Sequence, residues 1–416
     1  MLQITNKKTL GINGLGRIGK LTLWYHLSKR YFDGIVINVG REVGKKFEDL
    51  IQVISSDTTY GRLDNFLYGH SGKKVEIKIV DRDAGLISID GFSVRFLYTD
   101  RNPKDIKWRE AGVKVVVDCT GKFLDPTVPA NDPKGSIAGH IEAGALKVIA
   151  SAPFKIKNIA LDNPDEYPTL IYGINHNSFD AEKHHIISAA SCTTTGLAHM
   201  VKPLLEDEET KRVLTASMTT VHAATNTQSV LDSVPATGTS DLRKNRSVLN
   251  NIILSSTGAA KTLEKVIPQA TSFGFMADSI RIPTPTVSLI SLNITFTSRL
   301  NELAMPFINA QYIKDLYKTA AAGPQKNLLY FSDLQNVSTD LMGINAAVII
   351  EGNELHTRTG FLQLHPETLL QAGIKETNAV NLPVTHAKIL GWYDNEYGSY
   401  VYCLGQLAEF VDSQIN

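Results

Sequence analysis

The chemistry of this chain is read first from a thiol and an imidazole. Cys192 stands in Ser188-Ala189-Ala190-Ser191-Cys192-Thr193-Thr194-Thr195-Gly196, between an apolar strand holding Ile186 and Ile187 and a helix beginning near Thr193. A thiol at a helix N-terminus has its thiolate stabilised by the helix dipole. The hydroxyls of Ser191 and Thr193 beside it suit an anion. A lone cysteine is most often inert packing, and this location argues instead for a nucleophile. Such a thiol needs a base within hydrogen-bond reach. His222 ends the stretch Met218-Thr219-Thr220-Val221-His222 and is followed by small and polar residues, Ala223 to Thr227. His176, His184 and His185 are its rivals, and spacing does not choose among the four.

A second kind of chemistry is written in Gly14-Leu15-Gly16-Arg17-Ile18-Gly19, a G-x-G-x-x-G between a strand and a helix. Glycines there let backbone N–H groups approach a pyrophosphate at the positive helix end. The same glycines also permit close helix–strand packing with no ligand at all. The pattern expects an acidic residue at the end of the second strand to hold the ribose hydroxyls. Here that strand ends Asn38-Val39-Gly40-Arg41, and Asp33 lies at its wrong end. Arg41 suits a 2′-phosphate, or is a solvated loop charge.

The elements that must carry these residues differ along the chain. In the first third, apolar runs at Leu10–Asn13, Gly34–Val39, Val113–Cys119 and Leu146–Ala150 alternate with helical stretches such as Gly16–Arg30. That alternation predicts βαβ units and a mostly parallel sheet, a Rossmann-type doubly wound α/β domain. Farther on, Val213–Val221, Thr286–Phe296 and Asn345–Glu351 are longer and partly alternating. In Thr286–Phe296, Ile290, Leu292, Ile294 and Phe296 share one face, which suits a sheet covered on one side. Asn250–Val266 and Ile313–Ala322 read as helices between them. An α+β catalytic domain with a mixed or antiparallel sheet is expected over residues 191–395. Residues 1–190 make the dinucleotide domain, joined by a helix over 396–416. Pro126–Ser136 and Pro366–Val384 read as inserted loops.

Length agrees with two domains or three, at roughly 150 residues each, in a chain of 416. Lys plus Arg is 42 and Asp plus Glu is 42, so charge gives no support to a nucleic-acid partner. Three cysteines, Cys119, Cys192 and Cys403, are too few and too scattered for a disulfide framework or a thiolate metal site. No metal is expected. With no apolar leader over Met1 to Lys8 and no run of 18 apolar residues, a cytoplasmic location away from membranes is the expectation.

Six stretches in order give the chain a resemblance to the phosphorylating glyceraldehyde-3-phosphate dehydrogenase family: GINGLGRIG (Gly11–Gly19), SAASCTTT (Ser188–Thr195), TTVHAAT (Thr219–Thr225), NNIILSSTGAAK (Asn250–Lys261), RIPTPTVS (Arg281–Ser288) and GWYDNEYG (Gly391–Gly398). The resemblance implies Cys192 as nucleophile and His222 as its base. It implies Thr225 and Arg281 for the phosphate of a triose phosphate, and Ser191, Thr193, Thr257 and Gly258 for inorganic phosphate. Asn395 is implied to hold the nicotinamide carboxamide of NAD or NADP. Arg17, Ile18, Arg101, Thr120, Gly121 and Ser151 are the other cofactor contacts so implied. A homotetramer acting in glycolysis or gluconeogenesis is expected on the same ground. Erythrose 4-phosphate is the alternative substrate, and a binding protein without turnover the alternative class. The chain departs from the family at Val39, where NAD-using members are acidic, and at Thr195-Gly196, where Asn-Cys is usual. It departs again at Ser399, where Tyr is usual, and in a longer loop over Asn226–Val248. Val234-Pro235 in that loop resembles NAD-using members, against the signal of Val39. Use of both cofactors is the expectation.

Overall fold

A computed structural model describes residues 8–98 and 100–415. The backbone divides into two compact units, Met1–Cys192 with Glu396–Asn416, and Thr193–Asn395.

The first unit is built on an eight-stranded sheet. Its order is Ile186–Ser188, Lys147–Ala150, Val115–Asp118, Thr9–Asn13, Gly34–Asn38, Phe92–Leu97, Leu86–Ile89 and Ile77–Asp81. The first six run parallel and the last two are added antiparallel. Parallel strands are covered on both faces, and Leu10, Ile12, Val115, Val116 and Val117 are accordingly wholly buried. The chain leaves Thr9–Asn13 on one side for Gly34–Asn38 and returns on the other as Val115–Asp118. Outside the carboxyl ends of strands at such a switch point lies the ligand crevice of doubly wound folds. The C-terminal segment returns to this unit. Tyr397–Val401 winds as a π-helical turn and Tyr402–Ser413 continues as an α-helix.

The second unit is a mixed sheet in the order Ile253–Ser256, Gly274–Ile282, Val213–Ala223, Ser288–Thr297, Val380–Tyr393, Val348–Glu351 and Leu329–Ser332, with His356–Leu364 also paired to Val380–Tyr393. Ser288–Thr297 alternates strictly, with Ile290, Leu292, Ile294 and Phe296 inside. One face is thus covered, by the helices Cys192–Glu206 and Ala310–Ala322, which are tied where Tyr317 Oη donates to the carbonyl of Met200 at 2.8 Å. Gly391 admits this layer, because a Cβ there would meet the Met200 sulfur at 2.4 Å.

Two segments differ from the sequence reading. Asn250–Val266 is not one helix: Ile253–Ser256 pairs antiparallel with Gly274–Ile282, and only Ala259–Val266 is helical. Ile253 is buried while Leu254 is exposed, the alternation of a half-covered strand. Pro366–Val384 is not an irregular loop either. Pro366–Gln371 is a helical turn with Pro at its start, and the strand Val380–Tyr393 begins inside the segment, pairing Val380 with Leu364. Its polar composition comes from lying on an exposed hairpin.

Candidate active site

In the first unit the expected cofactor residues gather around the carboxyl ends of its central strands. Gly14 sits at φ 94°, a conformation open to glycine and closed to most side chains. A Cβ on Gly19 would stand 1.9 Å from the carbonyl oxygen of Gly14, so this glycine serves the tight turn itself. Gly16 differs, since a Cβ there would meet nothing within 4 Å. It faces open space at the start of the helix Arg17–Lys29, which has no side-chain cap. Uncapped N–H groups beside an unobstructed backbone fit a dinucleotide pyrophosphate.

Arg17 and Ile18 open that helix. The Arg17 side chain is turned away to two carboxylates, with Nη1 on Asp57 Oδ2 at 2.5 Å and Nε on Glu396 Oε1 at 3.0 Å. Lys20 joins Asp57 at 2.7 Å. Burial pushes the Asp57 carboxyl up, and the hydrogen bonds from Arg17 and Lys20 more than offset it, holding it below the usual carboxylate range. A role of Arg17 toward a cofactor therefore falls to its backbone N–H.

Thr120 and Gly121 follow the strand Val115–Asp118. The Thr120 amide and hydroxyl both donate to Asp118 Oδ1, at 2.9 and 2.6 Å. The other oxygen of Asp118 accepts from Asn13 Nδ2 at 2.8 Å and meets His140 Nε2 at 3.1 Å. Trp108 Nε1 stands 2.8 Å from His140 Nδ1. Indole only donates, so Nδ1 accepts and the His140 proton lies on Nε2, toward Asp118. Burial raises the Asp118 carboxyl, but His140, Thr120 and Asn13 together keep it low and charged. Ser151 follows Lys147–Ala150, its amide donating to Asp118 O at 2.9 Å. Arg101 Nε donates to the Gly40 carbonyl at 3.0 Å and so ties the loop that carries Arg41. Arg41 itself is exposed. Beyond it lies a cleft of about 330 Å³ lined by Lys45, Lys46, Arg82 and Tyr98, in which Arg82 is held by Glu48.

Ser191 and Cys192 are half-buried, and Cys192 is the first residue of the helix Cys192–Glu206. The chain reaches it through Ala190 at φ 57°, a left-handed conformation costly for a residue with a Cβ. Tyr400 Oη donates to the Ala190 carbonyl at 3.2 Å and steadies that corner.

In the second unit His222 and Arg281 are partners in register on the parallel strands Val213–Ala223 and Gly274–Ile282. Arg281 Nη1 lies 2.5 Å from His222 Nδ1 and 3.2 Å from the Ala223 carbonyl. Burial and then the Arg281 charge push the His222 imidazole down to about 3, so it is neutral. Thr225 lies just past the same strand, its amide and hydroxyl both donating to Gln228 Oε1 at 2.9 Å. Thr257 and Gly258 connect the neighbouring strand Ile253–Ser256 to the helix Ala259–Val266, with Ala259 N on Thr257 Oγ1 at 3.2 Å. Thr193 is buried, its hydroxyl 2.9 Å from Tyr393 Oη, which is also 2.7 Å from Thr220 Oγ1. A relay fixes Asn395. The Ala223 amide donates to Ser288 Oγ at 3.0 Å, so the Ser288 proton goes to Asn395 Oδ1 at 2.9 Å. The Asn395 amide group is left as the donor. Val287, at φ 61°, is the strained residue that sets Ser288 in place.

Comparison with known proteins gives these features a common origin. The family model described as "Glyceraldehyde 3-phosphate dehydrogenase, NAD binding domain" matches residues 8–126, and that of the C-terminal domain matches residues 191–364. Glyceraldehyde-3-phosphate dehydrogenase 2 of Bacillus subtilis is 33% identical over 94% of this chain and 93% of its own. The Streptomyces coelicolor glyceraldehyde-3-phosphate dehydrogenase is 32% identical over 98% of this chain and 99% of its own. Glyceraldehyde-3-phosphate dehydrogenase 1 of Schizosaccharomyces pombe is 32% identical over 94% of each chain.

The chain belongs to the glyceraldehyde-3-phosphate dehydrogenase family. Membership supports an oxidoreductase acting on glyceraldehyde 3-phosphate with NAD(P). No helix among the described residues is long and apolar enough to cross a membrane.

Several residues that position the expected site of this family member were not singled out from sequence. Tyr393 and Glu396 lie inside the quoted stretch GWYDNEYG and Ser288 ends RIPTPTVS, so their motifs carried a signal. Asp57, His140 and Trp108 carried none, because their roles arise only when distant segments meet.

Proposed function

We propose that this chain catalyses the phosphorylating oxidation of glyceraldehyde 3-phosphate to 1,3-bisphosphoglycerate through a thioester on Cys192. The observation that carries this is the pairing of His222 with Arg281, a neutral proton acceptor in contact with a fixed cation. That pair suits a substrate with a reactive carbonyl at one end and a phosphate at the other. Cys192 adds as thiolate to the aldehyde carbon, and His222 takes the thiol proton. His222 returns that proton to the alkoxide oxygen to give the hemithioacetal, then removes it again as hydride leaves the carbon, and the carbonyl of a thioester forms. When bound, the nicotinamide of NAD or NADP supplies the hydride acceptor. Inorganic phosphate, held by Ser191, Thr193, Thr257 and Gly258, then attacks the acyl carbon, the C–S bond breaks, and the acyl phosphate departs. A soft thiolate suits both steps, since it attacks well and leaves well.

Thr225 and Arg281 hold the triose phosphate in this reading. Gly14, Gly16, Ile18, Thr120, Gly121 and Ser151 hold the cofactor, and Asn395 its carboxamide. Self-association as a homotetramer is part of the same proposal. It is supported by apolar residues exposed on the loop and strands over 230–276, among them Leu231, Ile252, Met276 and Val234 at 92% exposure. The test is absorbance of reduced nicotinamide on adding glyceraldehyde 3-phosphate, with and without inorganic phosphate, with erythrose 4-phosphate as a second arm. Phosphate-dependent reduction is expected. Undiminished turnover without phosphate or arsenate would mean the thioester is opened by water, and the phosphorylating reading would fall.

A further inference from the structure

The inner face of the second unit's sheet carries more hydroxyls than the proposed chemistry uses. On the strand Ile253–Ser256, Ile253 and Ser255 are turned inward between exposed neighbours, and Thr257 follows two residues on. On Gly274–Ile282 the inward residues are Ala277, Ser279 and Arg281. The antiparallel register sets Ser255 directly opposite Ser279, and Ile253 opposite Arg281. Directly opposed Cβ atoms lie about 5 Å apart, and alternate residues of one strand about 6–7 Å apart. The serine pair therefore stands between Arg281, proposed for the substrate's phosphate, and Thr257, proposed for inorganic phosphate. Neither serine is satisfied there. Ser279 is 3% exposed and Ser255 is half-buried, and neither Oγ has a hydrogen-bond partner among the described residues. Buried hydroxyls are nearly always paired, and an orphan calls for a water or an ion.

The surroundings narrow what can fill this place. Thr220, beside Ser279 in the parallel register, has its hydroxyl taken by Tyr393 Oη at 2.7 Å, and Tyr393 Oη lies 2.9 Å from Thr193 Oγ1. Past Thr257, Gly258 starts the helix Ala259–Val266 without a side-chain cap, and a Cβ there would meet nothing within 4 Å. Arg281 repels a cation, and an apolar group would leave both hydroxyls unpaired. A small oxyanion satisfies the donors together. We infer that Ser255 and Ser279 are further ligands of the inorganic phosphate, donating to it alongside Thr257 and Gly258. This deepens the phosphorylating reading above and rests on it. Each serine offers one O–H, and hydrogen bonds to a charged acceptor are roughly twice as strong as neutral ones. Without phosphate the two hydroxyls are a cost within a largely apolar face. With phosphate bound they are paired, so the face favours the loaded state. The triose phosphate stays with Arg281 and Thr225, and the serines select the attacking anion. They are binding residues, and no bond is made or broken at either.

The experiment compares the full-length wild type with Ser255→Ala, Ser279→Ala and the double variant. In the oxidative assay the double variant's KM for inorganic phosphate should rise about tenfold or more, as for lost hydrogen bonds to a charged group. Its KM for glyceraldehyde 3-phosphate should not change. A second measurement needs no turnover. The thermal midpoint is followed against added phosphate, and against sulfate as an unreactive oxyanion. Both should stabilise the wild type, and the double variant should need about tenfold more of either for the same shift. In buffer free of both anions the double variant should melt no lower than the wild type, because the hydroxyls removed had no partners. An unchanged KM for phosphate, or an equal rise in the KM for glyceraldehyde 3-phosphate, overturns the inference. So does a double variant that melts lower without anions yet responds to phosphate as the wild type does, since the serines would then be structural. Failure of the parent reading looks different: the wild type turns over undiminished without phosphate, while the anion titrations still test the serines.

Discussion

Replacing Ser288 with alanine isolates the hydroxyl that orients Asn395. Ser288 is wholly buried, accepts from the Ala223 amide at 3.0 Å and donates to Asn395 Oδ1 at 2.9 Å. The substitution keeps the volume nearly unchanged and strands two buried polar groups. Each stranded group costs about 1–3 kcal/mol, so unfolding stability should drop by about 2–6 kcal/mol. The effect on function is separate. Without Ser288 nothing dictates which end of the Asn395 amide is presented to a nicotinamide carboxamide. Losing one oriented neutral hydrogen bond, about 0.5–1.5 kcal/mol, weakens binding roughly two- to tenfold. Initial rates at saturating second substrate should show that rise in KM for the cofactor, with KM for glyceraldehyde 3-phosphate unchanged. In an Asn395→Ala background, Ser288→Ala should add nothing further to the cofactor KM, because the group it orients is gone. A loss of stability with an unchanged cofactor KM, or an equal rise in both KM values, would refute the relay and leave Ser288 a packing residue.

Three further outcomes follow from the same structure. Iodoacetate at neutral pH should label Cys192 and abolish activity, because burial pushes the Cys119 thiol up to about 12 and that of Cys403 higher still; inactivation that tracks peptide-mapped labelling of either other thiol would contradict the nucleophile. Arg41→Ala should weaken NADP about tenfold or more and leave NAD unchanged, as expected for loss of a charge-assisted contact; a wild type that prefers NAD by about a hundredfold in kcat/KM would remove the basis for this. His26 is fully buried and its imidazole is pushed down to about 3 from 6.5, so the folded chain refuses a proton that the unfolded chain accepts. Its share of stability is complete above about pH 6.5 and is lost at about 1.4 kcal/mol per unit as pH falls toward 3. Denaturant unfolding of His26→Phe at pH 7 and 5 should show a shallower pH dependence than the wild type, and an equal slope would count against the assignment.

The dinucleotide turn and the Cys192 helix start were legible because each is local: a few residues fix the backbone and the chemistry together. The face of Thr286–Phe296 was legible for a similar reason, since period-two alternation needs only the sequence. Asn250–Val266 was misread because an apolar trio, Ile252-Ile253-Leu254, fits a helix turn as well as an edge strand, and only pairing with Gly274–Ile282 decides. The contact of Arg281 with His222 was out of reach. It depends on a parallel crossover that sets residues 59 apart side by side. Ser288, Thr220 and Tyr393 lie inside quoted motifs, but the roles of their hydroxyls come only from the partners across the sheet.

The grip of Glu396 on Arg17 has a consequence for how this molecule is born. The first unit is discontinuous: Met1–Cys192 must wait for Glu396–Asn416, with roughly 200 residues looped out between them. Translation delivers the glycine turn early and its carboxylate partner late, so an N-terminal fragment on the ribosome holds Arg17 without Glu396 and lacks the helix Tyr402–Ser413 that completes the first unit. Thr193–Asn395 has no such debt and can close as soon as it has emerged. The later-made unit is therefore free to fold first, and chaperone demand should concentrate on the half synthesised earlier.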